Sequence, residues 1–271
     1  MSLSDPLVES APAKVNLTLR VLRRRSDGYH DLESLVVFAD FGDALGFSPG
    51  GDLTLTVGGP SATAAGGGDD NLVLKAARAI AVRRPGIRLG AFRLDKRLPV
   101  AAGLGGGSAD AAAALRLLAR ANDIAPDDPE LYAAARGTGA DVPVCLDPRA
   151  RIMRGIGEVL SAPLSLPPLP AVLVNPGVAL PTKAVFAGLK LASAPPVPHD
   201  ERAIAELGSS EELLRVLAAL RGLAGCKLAR MSGSGATCFA LFSTAAEARA
   251  AQEHLATRQP AWWARAVTLG G

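Results

Sequence analysis

The sequence predicts an α+β fold. Three observations carry it: an early pair of strands joined by a tight turn, an irregular alternation of strands and helices after that, and a proline-rich break in the second half of the chain. Residues 11–21 open the case. Ala13, Val15, Leu17, Leu19 and Val21 alternate with Lys14, Asn16, Thr18 and Arg20, a period of two that reads as a strand with one buried face. Ser26-Asp27-Gly28 supplies turn residues, and the apolar stretch from Leu32 to Phe41 completes a hairpin. Leu53, Leu55 and Val57 alternate with threonines as a further strand, and the Gly/Ala-rich segment Gly58 to Asp70 reads as loop. A helix is expected over Leu72 to Val82, ended by Pro85-Gly86, and a strand over 87–94.

An Ala/Leu-rich helix is predicted from Ala109 to Ala121 and another from Asp128-Pro129, with Asp as N-cap and Pro in the first turn, to Gly137. Val142 to Leu146 is a short apolar strand. The prolines of 163–170 divide the chain into domains of 1–160 and 161–271. Beyond them the pattern predicts strands at 171–174, 226–231, 236–242 and 263–269. It predicts helices at 182–191, 210–221 and from the Thr244-Ala-Ala-Glu247 capping box to Leu255.

Composition excludes several classes. Apolar residues make up 49% of the 271 and charged residues 20%, enough for packed cores and too few charges for disorder. A net charge of +3 gives no basic groove for nucleic acid. Arg23-Arg24-Arg25 reads as a solvated hairpin tip, and Trp262-Trp263 as packing. Cys145, Cys226 and Cys238 are odd in number and widely spaced, which argues for reduced thiols rather than disulfides or a zinc site. Met1 to Ser10 lacks the basic flank and apolar core of a signal peptide, and no apolar run approaches membrane-spanning length. The expectation is a cytoplasmic protein that partners neither nucleic acid nor membrane.

Gly103-Leu104-Gly105-Gly106-Gly107-Ser108 is the most informative segment. Its glycines leave the main chain bare and free to take positive φ, and it runs directly into a helix. The amides at a helix start lack intrahelical acceptors and carry partial positive charge, so loop and helix together form a phosphate cradle. No Lys follows the glycines, so it is not a Walker A loop, and Ser108 stands where a dinucleotide fingerprint has its third glycine. Asp110 is expected in the first turn as a partner of the helix dipole.

These residues resemble the GHMP small-molecule kinases. Pro12-Ala13-Lys14-Val15-Asn16-Leu17 is similar to the first signature of that family, Pro99 to Ala109 to the second, and Ser232-Gly233-Ser234-Gly235-Ala236-Thr237 to the third. Ser26 to Leu32, Leu94 to Pro99, Gly139 to Pro143, Gly155 to Glu158, Asn175-Pro176-Gly177 and Pro181-Thr182 extend the likeness over nearly the whole chain. Gly28-Tyr29-His30 points to members with a cytidylyl substrate. The Asn-Asp-Leu-Glu string usual before the last helices is missing from 198–222.

The resemblance implies an N-terminal domain of ribosomal protein S5 domain 2 type, a ferredoxin-like C-terminal domain, and transfer of a phosphoryl group from ATP with Mg²⁺. It implies Lys14 and Asp141 as catalytic groups. ATP falls to Pro99, Val100, Ala101, Ala102, Gly103, Leu104, Gly105, Gly106, Gly107, Ser108 and Ala109. The substrate falls to Asn16, Tyr29, His30, Thr182 and Phe186, with the aromatic rings stacking on the base. Lys96 and Asn71 are implied on the adenosine side. Gly233 and Gly235 are expected to abut the phosphate loop. The alternatives are a GHMP kinase for a small acyclic substrate such as homoserine or mevalonate, and a nucleotide-binding homologue without catalysis.

Overall fold

The computed structural model describes residues 6–26, 30–178 and 211–270. The packing groups the chain into two units, each assembled from separate segments. One contains residues 1–13, 42–100 and 105–148, the other 14–41, 101–104 and 149–271. Two long strands, β1 (Leu7–Arg24) and β2 (His30–Pro49), contribute to both.

In the first unit the second half of β2 pairs antiparallel with β4 (Gly90–Asp95), and β3 (Thr54–Gly58) pairs parallel with β4. A parallel pair needs a crossover, supplied here by α1 (Ala62–Ala65) and α2 (Leu72–Arg83). Register places Phe47 opposite Phe92, with ring centroids 4.6 Å apart. α3 (Gly106–Ala121) is the central helix, packed on α2, α4 (Pro129–Thr138) and α5 (Val142–Leu146). Its alanines and leucines are buried nearly all round, as expected of a helix enclosed by neighbours.

In the second unit the sheet order is β2, β10 (Trp263–Gly270), β7 (Leu169–Asn175), β9 (Cys238–Leu241), β8 (Leu228–Met231), antiparallel throughout. The described elements β7, α6 (Glu211–Arg221), β8, β9, α7 (Ala245–Arg258) and β10 follow the β-α-β-β-α-β order of a ferredoxin-like unit. Leu213, Val216, Leu217 and Leu220 of α6 and Ala248, Ala251 and Leu255 of α7 bury one stripe each in a core with Val172, Val174 and Trp262. Thr244 and Glu247 close the capping box of α7 as its sequence predicts. β5 (Arg151–Gly155) pairs with β2 and turns back through the two-residue β6 (Val159–Leu160); neither was expected from the residues.

Four expectations change. α1 lies within Gly58 to Asp70, which reads as loop; a helix of four residues is too short for a period to mark it. α3 begins at Gly106, three residues earlier than predicted, because glycine propensity is poor but the tertiary position of the helix overrides it. Val142 to Leu146 is one turn of helix, not a strand; five residues are too few for period to separate the two. β1 buries both faces over Lys14 and Asn16 (3% and 5% exposed), while Thr18 and Arg20 lie outside. The helix expected at 182–191 lies outside the described residues.

Candidate active site

In the second unit the three glycine- and lysine-bearing segments meet. The Lys14 amide donates to the Leu104 carbonyl at 2.8 Å, and the Thr237 amide to the Ala102 carbonyl at 3.0 Å. One hydroxyl joins all three: Ser232 Oγ accepts from the Asn16 amide at 3.1 Å and donates to the Gly103 carbonyl at 3.0 Å. Gly103 (φ 76°) has no room for a side chain, since a Cβ there would lie 2.6 Å from the Gly235 carbonyl oxygen and 2.7 Å from that of Ser232. The glycine turn of 232–235 therefore does abut residues 102–104. A buried bond of 3.0 Å from Asn175 Nδ2 to Thr237 Oγ1 holds this turn to β7.

Lys14 and Asn16 project from β1 two residues apart, as alternation requires. Lys14 Nζ stands 3.5 Å from Asn16 Oδ1. Asn16 Nδ2 donates to Ser34 Oγ at 2.7 Å, and that hydroxyl donates to the Thr18 carbonyl at 2.6 Å. A buried polar network of this kind is fixed in one arrangement because each lost bond strands a partner away from water. Ser34 escaped sequence reasoning, and Ser232 and Asn175 stood in quoted motifs without an assigned role, since single serines and asparagines carry no spacing signal.

Along the loop itself, Ala101 takes a left-handed φ of 52° despite its Cβ, a conformation that costs about 1–2 kcal/mol. Leu104 is buried and anchors the loop. Gly105, with φ 61°, is the N-cap of α3. The Ala109 amide donates to the Gly105 carbonyl at 2.8 Å, the first bond of the helix. Gly106, Gly107 and Ser108 thus present their amides at the start of a 16-residue helix with no intrahelical acceptor. Such a start suits the polyphosphate of a nucleotide.

In the first unit Asp141 is the N-cap residue of α5 and is half-buried. Lys96 is buried, its Nζ 2.5 Å from Asp43 Oδ2 and 2.6 Å from Asp110 Oδ2. Burial alone would lower its pKa, but the two carboxylates outweigh that and raise it above the ordinary lysine range. Asp110 is pushed up to about 7, chiefly by burial and further by Asp43, against the pull of Lys96. One cation shared between two carboxylates does not stabilise both fully. Asp110 is therefore not a dipole partner: with α3 starting at Gly106 it lies beyond the first turn, paired with Lys96. Asn71 caps α2, accepting from the Val73 amide at 3.0 Å and donating to the Gly66 carbonyl at 2.9 Å. The side chains of Lys96 and Asn71 are thus engaged within the fold.

His30 is the half-buried first residue of β2. Tyr29, Thr182 and Phe186 lie outside the described residues. At the hairpin tip Arg23 and Arg25 both pair with Asp31, at 2.5 and 3.3 Å. Trp262 is buried and donates from Nε1 to Glu212 at 2.8 Å. Among the described residues no helix is long and apolar enough to cross a membrane.

Comparison with known proteins gives the family. The model for the GHMP kinases N terminal domain matches residues 71–147, and that for GHMP kinases C terminal matches 201–261. The 4-diphosphocytidyl-2-C-methyl-D-erythritol kinase of Xanthobacter autotrophicus is 53% identical over 96% of this chain and 97% of its own. A crystal structure of 4-(cytidine 5'-diphospho)-2C-methyl-D-erythritol kinase superposes with a TM-score of 0.79 at 35% identity, covering 98% of this chain and 100% of that one. The homoserine kinase of Cytophaga hutchinsonii shares the fold, with a TM-score of 0.70 at 17% identity over 100% of this chain and 96% of its own. The chain belongs to the GHMP kinases, enzymes that use ATP as phosphoryl donor. Within them its family is that of the 4-diphosphocytidyl-2-C-methyl-D-erythritol kinases.

Proposed function

We propose that this chain transfers the γ-phosphoryl group of ATP to the 2-hydroxyl of 4-diphosphocytidyl-2-C-methyl-D-erythritol, a cytoplasmic step in the methylerythritol phosphate route to isoprenoid precursors. The observation that carries the reading is full-length likeness to kinases of that name, together with a bare glycine loop opening α3. The same likeness disfavours the homoserine and mevalonate alternatives and a homologue without catalysis. The matched segments 71–147 and 201–261 fall one in each of the stretches 1–160 and 161–271, which we take as the functional domains.

Residues Pro99 to Ala109 hold the ATP phosphates, with the free amides of Gly106 to Ser108 as donors. Mg²⁺, when bound, neutralises charge on the phosphate oxygens. We assign the ion to the phosphate oxygens of the nucleotide and to water. Asp141 orients the substrate hydroxyl and accepts its proton late, as a loose transition state allows. Lys14 stabilises charge on the transferring group. Asn16, Tyr29, His30, Thr182 and Phe186 are assigned to the substrate, with Tyr29 and Phe186 stacking on cytosine.

A coupled ADP-release assay tests the reading, with the cytidylyl substrate compared against homoserine and mevalonate. Turnover is expected with the first alone. Asp141→Asn should leave the affinity for ATP intact and lower kcat by about 10²-fold or more. Equal turnover on homoserine removes the substrate assignment, and an unaltered kcat in the variant removes Asp141 from the chemistry.

A further inference from the structure

Three buried charges in the first unit, Lys96, Asp43 and Asp110, have no role in the reaction as assigned above. They lie directly against the start of α3. Lys96 Nζ is 3.1 Å, and Asp43 Oδ2 3.5 Å, from the point where a Cβ on Gly106 would sit. Asp110 stands four residues after Gly106, one turn along the same helix face, and its Oδ2 receives Lys96 at 2.6 Å. The ammonium therefore fills the space that a side chain on the first residue of the helix would take, and it bonds to the second turn.

The other end of the cluster holds the segment that leads into the loop. Asp43 Oδ1 accepts from the amides of Arg97 at 2.6 Å and Leu98 at 2.8 Å. The main chain of Lys96 is itself pinned, its amide donating to Gly58 at 2.8 Å and its carbonyl accepting from Ser61 at 3.0 Å. Among the described residues Asp110 Oδ1 is buried without a hydrogen-bond partner, while Oδ2 receives the lysine.

We propose that Lys96, Asp43 and Asp110 form a positioning unit for the phosphate-binding start of α3, setting the amides of Gly106 to Ser108 where the ATP phosphates need them. Stability alone is a poor account of the cluster. Burying charges costs several kcal/mol each, and apolar side chains of similar volume often hold a fold as well or better. Short directed bonds from one ammonium to two elements give what an apolar trio does not, a fixed distance between the entering segment and the helix. A displacement of about 1 Å in a binding group can cost 10²-fold in rate.

The inference rests on the phosphate-loop reading. Its test measures, on the full chain, the Kd of a non-hydrolysable ATP analogue with Mg²⁺, the KM for the cytidylyl substrate and the melting temperature. The triple variant Asp43→Asn, Lys96→Met, Asp110→Leu removes the charges and keeps the bulk. It should melt near the unaltered protein, weaken the analogue at least about tenfold and leave the substrate KM unchanged. If the triple variant does not fold, Asp110→Leu against Asp110→Asn decides. The asparagine keeps an acceptor for Lys96 and should retain analogue affinity, whereas leucine should lose at least about tenfold. Equal analogue affinity in the triple variant, or in leucine and asparagine alike, overturns the positioning role alone. An unaltered protein that does not bind the analogue overturns the phosphate-loop reading and this inference with it.

Discussion

Asp110 shows how much a single residue's meaning depends on its surroundings. In the sequence it is an acid near the start of a helix, and the ordinary expectation is a favourable dipole contact. In the structure it is buried, shares one ammonium with Asp43, and has a pKa raised to about 7. The folded chain therefore keeps a proton on Asp110 at pH values where the unfolded chain, with an ordinary carboxyl near 3.9, has lost it. Protons bound in the folded state exceed those in the unfolded state, so stability falls as pH rises between about 4 and about 7, then levels off. The slope cannot exceed about 1.4 kcal/mol per pH unit for one group. Asp110→Asn should remove this component, visible in denaturant unfolding of both proteins across that range. Parallel stability curves would mean that Asp110 titrates as an ordinary carboxyl.

Among the elements, those with many repeats of one period were legible from the residues, and those defined by partners were not. β1 reads as a strand because nine residues alternate, and α7 because Thr244 and Glu247 form a reciprocal cap. β6, with two residues, and α5, with five, have no period to read. The loop Gly103 to Ser108 was legible as bare main chain, but not the hydroxyl that laces its start to β1. Ser232→Ala leaves the Asn16 amide and the Gly103 carbonyl without that partner, at an expected cost of about 1–3 kcal/mol. The exposed Ser243→Ala serves as reference and should change stability by less than about 0.5 kcal/mol. Equal effects in chemical denaturation would show that the Ser232 bonds are not needed to hold the three segments.

At the scale of the whole molecule, each unit is built from segments far apart in the chain. Occupation of the loop should stabilise the chain by mass action. A non-hydrolysable ATP analogue with Mg²⁺ at about 100 times its Kd should add about 2.7 kcal/mol, read as a rise in melting temperature. The same concentration of pyrophosphate-free adenosine should add far less if the phosphates carry the affinity. Equal rises would place the main grip on the base rather than on the start of α3.

The residues by themselves determined that the chain is α+β, where its long strands and helices lie, and that a main-chain cradle for phosphate precedes an Ala-rich helix. Each of these follows from local physics: side-chain period, capping chemistry and the conformational freedom of glycine act within a few positions. Only the tertiary structure decided that Lys14 and Asn16 are buried, that Ser232 joins three distant segments, and that Lys96 is clasped by Asp43 and Asp110. Burial, hydrogen bonding and ion pairing depend on residues 53 or 216 positions away, and no local pattern records which of them fold back to meet.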